Sequence, residues 1–255
     1  MEIHLHVGVH KTATTYLQQR LKADAPSLRR AGIGYAPLGR LRPFLTRQLM
    51  SFTPGDFRIE EHLALFYGQQ SIPAEPRIII SDENLIGYCG TLVRDGQPFR
   101  NGPERLAHLR RLLAGHRIRL FIAIRSYDTF LASAYSEGLR NLNTFMDVDS
   151  FRRHVDVNRL RWPRLLATFA DAVHADGMSV WRFEDFRENS DDVLRALAFD
   201  TATAPTDKSG PERPSFSQIA VDVLQTVARH HGSDTASALI STIDQALPKG
   251  PDRVA

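Results

Sequence analysis

The sequence predicts a three-layer α/β fold, a mostly parallel central sheet flanked by helices. Three observations predict it. The chain opens on Ile3-His4-Leu5-His6-Val7, a short alternating strand that turns into a helix whose Ala13, Leu17 and Leu21 recur every four residues. Arg77-Ile78-Ile79-Ile80-Ser81 is apolar on both faces, as a strand covered by helices on both sides must be. Further strand-like runs at 118–124 and 178–183 are separated by helical patterns, the alternation of a parallel sheet with crossover helices.

The turn after the first strand, His6-Val7-Gly8-Val9-His10-Lys11-Thr12-Ala13-Thr14-Thr15-Tyr16-Leu17, organises the rest. A helix start offers unpaired backbone N–H groups and the positive end of the helix dipole. With a lysine and three threonines beside it, this turn is a site for phosphate or sulfate. The alternative is a strand-helix turn that binds nothing. It is not the ordinary nucleotide-triphosphate loop, G-x-x-x-x-G-K-[ST], because Lys11 comes early and Thr14-Thr15 stand at the helix entry.

The pattern His-Lys-Thr-Ala-Thr-Thr-x-Leu resembles the 5′-phosphosulfate loop of sulfotransferases, in particular the bacterial branch that writes it His-Lys-Thr-Gly-Thr-Thr. The departure is Ala13, which gives up some backbone freedom that glycine would have. A second segment supports the likeness: Arg125, at a strand end, is followed eight residues on by Ser133 and then Tyr135. In the family that arginine and serine bind the donor's 3′-phosphate. The resemblance spans roughly residues 3–230. It implies a P-loop-type fold with 3′-phosphoadenosine-5′-phosphosulfate (PAPS) as donor, the 3′,5′-bisphosphate (PAP) as product and no metal.

The elements follow in order. Pro26 is expected to break the first helix, with Ser27 to Gly32 a separate short turn, and Ile33-Gly34-Tyr35-Ala36 a second strand. Residues 37–57 read as an irregular or helical excursion whose Arg40, Arg42 and Arg47 either meet an anionic acceptor or are solvated. A helix is expected over 58–70. The 77–81 strand empties into Ser81-Asp82-Glu83-Asn84-Leu85, where open α/β sheets bind their ligands. The family carries a Ser-x-Glu-x-Leu segment at the same place.

Residues 90–102 read as a mobile polar loop. Pro103 to Ala114 reads as a helix with Leu106, Leu109 and Leu113 on one face and its arginines in solvent. After the strand ending at Arg125, the helix carrying Ser133 begins. Arg152, Arg153, His154, Arg159, Arg161 and Arg164 either line a groove for an acidic acceptor or face water. Helices are expected at Trp162 to His174 and Asp191 to Phe199, with a last strand at Met178 to Phe183 between them. Residues 201–214 read as a loop whose Lys208 and Arg213 would, by the resemblance, close over the 3′-phosphate. Ser217 to Arg229 and Thr235 to Leu247 read as helices, and the tail after Pro248 as frayed. The organisation expected is a single domain, 1–255, with a helical extension at about 215–247.

Composition bounds the function. The 255 residues are 42% hydrophobic and 24% charged, ordinary for a globular protein. A net charge of +3 suits anionic ligands and is too small to argue for nucleic acid. The single cysteine, Cys89, rules out an intrachain disulfide, and no apolar run reaches membrane-spanning length. The chain begins directly on its first strand, so a cytoplasmic location is expected.

Sulfuryl transfer, like phosphoryl transfer, is mainly positioning and charge stabilisation. By the resemblance, Lys11 would steady the leaving phosphate, while Gly8, His10, Thr12, Ala13, Thr14 and Thr15 surround the 5′-phosphosulfate. The base that takes the acceptor's proton is Glu83 or His10. His4 and His6 are expected in the core. The acceptor, a hydroxyl or amine, is not readable; a glycan or another anionic molecule is among those open. Two rivals remain. A P-loop nucleotide kinase would want a magnesium-holding aspartate, for which Asp82 is the candidate. A non-catalytic nucleotide-binding protein would explain Ala13.

Overall fold

A computed structural model describes residues 1–51, 73–201 and 216–248. Strands β1 (Glu2–His6), β2 (Ile33–Ala36), β3 (Arg77–Ser81), β4 (Arg117–Ile124) and β5 (Gly177–Arg182) form one sheet in the order β2-β3-β1-β4-β5. All neighbouring pairs are parallel, so the α/β expectation holds. The helices, in chain order, are α1 (Thr14–Arg30), α2 (Leu38–Leu41), α3 (Arg47–Ser51), α4 (Thr91–Asp95), α5 (Gly102–Leu112), α6 (Tyr127–Leu142), α7 (Val148–His154), α8 (Trp162–Val173), α9 (Phe186–Leu197), α10 (Gln218–His231) and α11 (Ser233–Ala246). The helix expected at 58–70, the loop at 201–214 beyond its first residue, and the tail after Pro248 lie outside the described residues.

The described chain divides into two compact units. The first holds the whole sheet with α1–α3, α5, α8 and α9. The second holds residues 89–99, 127–160 and the two C-terminal helices.

In the first unit, strand alternation sorts the core. Ile3 pairs with Ile78 and Ile118, and Leu5 with Ile80 and Leu120, all fully buried on one face. On the other face Ile33, Tyr35, Ile79 and Phe121 meet Leu17, Leu21 and Leu28 of α1 and Leu194 and Leu197 of α9. The two strand histidines also point to this face. His4 Nδ1–H donates to the Leu197 carbonyl (2.9 Å) and its ring stacks on Phe199 at 3.5 Å. α5 and α8 pack on each other closely: a Cβ on Gly102 would stand 3.0 Å from the Phe169 ring.

Three expectations are corrected. α1 does not break at Pro26 but runs through it to Arg30. Pro26 lies on the exposed side of the helix, where the carbonyl it deprives of a partner can turn to water, while Leu28 keeps the last turn packed. Residues 90–102 are not a plain loop: α4 lies within them, with Leu92 and Val93 buried. Gly138 of α6 allows this, since a Cβ there would fall 2.2 Å from Val93 Cγ2. Finally, the arginines of the 103–114 helix are not all solvated, because Arg105 is buried.

The excursion after β2 is helical over 38–51, interrupted at Arg42–Thr46 by a wider π-type turn that contains Pro43. In the second unit, Arg140 forms a bidentate pair with Asp244 (2.6 and 2.7 Å) and lies over the Phe216 ring, tying α6 to α11. The helices expected at the C-terminus are α10 and α11; Ser217 Oγ caps the first by accepting from the Ala220 N–H. Among the described residues, no helix is long and apolar enough to cross a membrane.

Candidate functional site

The turn between β1 and α1 is held open by its backbone. Gly8, Lys11 and Ala13 adopt left-handed conformations, with φ of 42°, 66° and 61°. Such turns direct successive N–H groups inward and make anion-binding hollows. Pairing with β4 continues into the turn: Val7 N–H donates to the Phe121 carbonyl and Val9 N–H to that of Ala123 (3.2 and 3.3 Å). The helix then starts at Thr14, with the Tyr16 and Leu17 N–H groups both returning to the Ala13 carbonyl. Ala13 occupies a backbone position that favours glycine, and the left-handed region costs an alanine about 1–2 kcal/mol.

Two buried polar atoms face this hollow. Among the described residues, Thr14 Oγ1 and His6 Nε2 have no hydrogen-bond partner. Both lie against Gly8, where a Cβ would stand 2.8 Å from Thr14 Oγ1 and 3.2 Å from His6 Nε2. His6 shares its other ring nitrogen with Ser81 Oγ (2.9 Å), and burial pushes its pKa down to about 3, so the ring is neutral. An unsatisfied buried hydroxyl is costly unless something fills its bonding capacity. The cradle therefore fits an oxygen-rich anion.

The acidic turn after β3 stands beside it, joined through Asp82 N–H to the His6 carbonyl (3.1 Å). Asp82 is 0% exposed and fully engaged. Oδ1 accepts from Arg42 Nη2 (3.0 Å) and from the Asn84 N–H (3.1 Å); Oδ2 accepts from Arg42 Nε (3.2 Å) and Thr46 Oγ1 (2.8 Å). Glu83 is held from two sides: Arg42 Nη2 donates to Oε1 (3.0 Å) and Gln18 Nε2 to Oε2 (3.2 Å). Burial alone would lower the Arg42 pKa, but its pairs with Asp82 and Glu83 outweigh that and raise it. His10 Nε2–H donates to Asn84 Oδ1 (3.1 Å).

A third group comes from the end of β4. Arg125 donates from Nη1 to the Lys11 carbonyl (2.9 Å), packs its guanidinium over the Phe183 ring (4.6 Å), and receives a hydrogen bond on its own carbonyl from Trp162 Nε1 (2.7 Å). Next to it, Glu184 Oε1 accepts from the Ser126 N–H (2.9 Å). Partial burial pushes the Glu184 carboxyl up, but this bond and nearby Arg125 outweigh it and hold the pKa low.

The first unit thus gathers Gly8, His10, Lys11, Thr12, Ala13, Thr14, Thr15, Glu83 and Arg125 around the ends of β1, β3 and β4. Thr12 is buried and its hydroxyl donates to the Val9 carbonyl within the loop, which braces the turn. Thr15 is exposed at the helix start. Ser133 is buried on α6 and belongs to the second unit. Lys208 and Arg213 lie outside the described residues. Sequence reasoning missed Gln18, Thr46, Asn84, Trp162 and Phe183. Gln18 had a signal: it interrupts the buried stripe of Thr14, Leu17 and Leu21 with a polar side chain. The other four had none in local spacing.

No family model matches the chain, and no curated protein does. Among solved structures, the chain is similar to a sulfotransferase from Alicyclobacillus acidocaldarius at 16% identity, over 94% of this chain and 96% of that one, with a TM-score of 0.48. At that identity and score the likeness decides nothing about function, which is left to the residues.

Two outcomes follow from the cradle. Ala13→Gly should raise the urea midpoint, by a stability gain of roughly 0.5–1 kcal/mol, the strain removed less the entropy glycine adds to the unfolded chain. A lower midpoint would mean that the methyl group packs better than the backbone is strained. The His6 pKa is lowered in the fold, so below its ordinary 6.5 the unfolded chain binds a proton that the folded chain does not. Stability should fall as pH drops from 6.5 toward about 3. The slope from this residue is at most about 1.4 kcal/mol per pH unit, and buried His4 adds to it in the same direction. Urea unfolding across that range should show a shallower loss in His6→Gln; parallel curves would assign the acid sensitivity elsewhere.

Proposed function

We propose that the protein is a sulfotransferase, transferring a sulfuryl group from 3′-phosphoadenosine-5′-phosphosulfate to a hydroxyl or amine of an acceptor still to be identified, a glycan among the candidates. The observation that carries this reading is the cradle at the start of α1. It combines three left-handed residues, Lys11 among them, and a buried Thr14 hydroxyl that has no partner among the described residues and lies against Gly8. The sequence pattern of the same residues points the same way.

In this reading Thr14, Thr15 and the N–H groups of the turn hold the donor's 5′-phosphate. Gly8 leaves room for it, because any side chain there would strike Thr14. The acceptor oxygen bonds to sulfur as its proton passes to Glu83. The bond from sulfur to the bridging oxygen breaks, and Lys11 stabilises the charge that gathers on the departing phosphate, with Ala13 and His10 shaping the turn around it. Arg125 keeps the Lys11 carbonyl in place and binds the 3′-phosphate; the sequence resemblance assigns Ser133, Lys208 and Arg213 to the same group. The donor's role is to supply an activated sulfuryl group. No metal is required, since a sulfuryl group carries less charge than a terminal phosphate. The compartment proposed is the cytoplasm, in keeping with a single cysteine and no possible intrachain disulfide.

The rival nucleotide kinase fares worse. Its magnesium-holding residue would be Asp82, whose two oxygens already accept four hydrogen bonds. A cation there would have to displace Arg42 and Thr46 from a buried carboxylate.

Calorimetric titration should find the bisphosphate bound more tightly than AMP or ATP. Arg125→Ala should cost about 2–5 kcal/mol and erase that preference. Equal affinity for AMP and the bisphosphate would sink the assignment. With radiolabelled donor and a panel of acceptors, Lys11→Ala should lower turnover by roughly 10²–10³ while bisphosphate binding falls less.

The base is tested separately. Glu83→Gln should abolish transfer and leave bisphosphate affinity within a few fold, because Arg42 remains anchored on Asp82. His10→Ala should weaken donor binding more than it changes the pH profile of turnover. If Glu83→Gln keeps most of its activity while His10→Ala loses the activity on the alkaline side, the base is His10.

A further inference from the structure

We propose that Gln18 is a positioning residue that couples the donor loop to Glu83. The proposal rests on the sulfotransferase reading above. Gln18 stands one helical turn after Thr14 on the buried side of α1, between Leu17 and Leu21. An apolar residue would pack there without having to find hydrogen-bond partners. Instead its amide reaches across to β3. Nε2 donates to the Ser81 carbonyl (3.1 Å) and to Glu83 Oε2 (3.2 Å). Both N–H bonds of one amide are therefore used on two consecutive features of the acidic turn, the strand end and the glutamate.

The second hold on Glu83 comes from a different element. Arg42 binds Oε1, and Arg42 is itself fixed through two bonds to Asp82, which is 0% exposed. One oxygen of Glu83 is thus referred to the sheet and the other to the helix that begins at the cradle. α1 is continuous from Thr14 to Arg30, so the amide of Gln18 moves with the first turn of the helix. A change of that turn on filling the cradle reaches Glu83 through Gln18, while Arg42 stays with β3. The orientation of the carboxylate then depends on whether the loop is loaded. Misplacing a reacting group by about 1 Å can lower a rate by about 10²-fold, so a link of this kind has consequences for turnover.

The test uses the full chain, labelled with carbon-13 at glutamate side-chain carboxyls, and the 3′,5′-bisphosphate as probe. The Glu83 resonance is assigned by its loss in Glu83→Gln. In the native protein it should move when the bisphosphate binds. In Gln18→Leu the bisphosphate should still bind within about threefold, while the Glu83 resonance stays where it was. Gln18→Glu keeps the shape of the side chain but places a carboxylate against Glu83, and should lose the response in the same way; it serves if Gln18→Leu does not fold. A purely structural glutamine would alter the urea midpoint and leave the response intact. A resonance that moves equally in native and variant protein overturns the proposal and leaves the sulfotransferase reading standing, as does a native resonance that does not move although the bisphosphate binds. Native protein that binds no bisphosphate overturns the reading and this proposal together.

Discussion

Hydrogen bonds that continue beyond the end of β1 fix the geometry of the site. β1 is the central strand, paired with β3 on one side and β4 on the other. Past His6 the pairing persists: Val7 and Val9 still donate to β4, and the His6 carbonyl still accepts from Asp82 at the end of β3. Three strand ends are thereby brought level, each releasing one functional segment. β1 releases the cradle, β3 the acidic turn and β4 Arg125. Parallel strands place their carboxyl ends on the same side, and α1 leaves β1 toward the face that also carries α9.

Charge balance follows from that alignment. Asp82 is buried at the strand end and would be intolerable there alone. Arg42, Thr46 and the Asn84 N–H neutralise and satisfy it. Removing Arg42 would leave the buried Asp82 carboxylate short of two hydrogen bonds, so Arg42 is held to the fold although its side chain is 42% exposed. The result is a rigid guanidinium beside Glu83. On the far side of β1, Arg125 works in a similar way. Its charge is directed at a backbone carbonyl, that of Lys11, and stabilises a left-handed residue in the loop.

β3 was legible as an apolar run bounded by polar residues, as a covered parallel strand must look, and β1 as a short alternating strand that turns into a helix. The cradle was legible through its lysine, its threonines and its place between a strand and a helix. What escaped notice depends on partners far along the chain. Arg42 could be read as solvated or acceptor-facing; its actual partner is forty residues away, at Asp82. The run of helix through Pro26 escaped because the proline's cost depends on which side of the helix meets water, and that is set by the sheet. α4 was hidden by the glycines around it, of which Gly96 only ends the helix in a left-handed turn. Lys208 and Arg213 stand as proposals, outside the described residues.

The central claim is that the turn between β1 and α1 receives the donor's 5′-phosphosulfate end. Hydrogen exchange of the backbone amides, followed by mass spectrometry with and without the 3′,5′-bisphosphate, tests it most directly. The account predicts slowed exchange in peptides covering residues 8–16, together with the segment around Arg125, while the outer strand β5 is unchanged. Protection confined to other segments, with the 8–16 peptides exchanging as before, would contradict it.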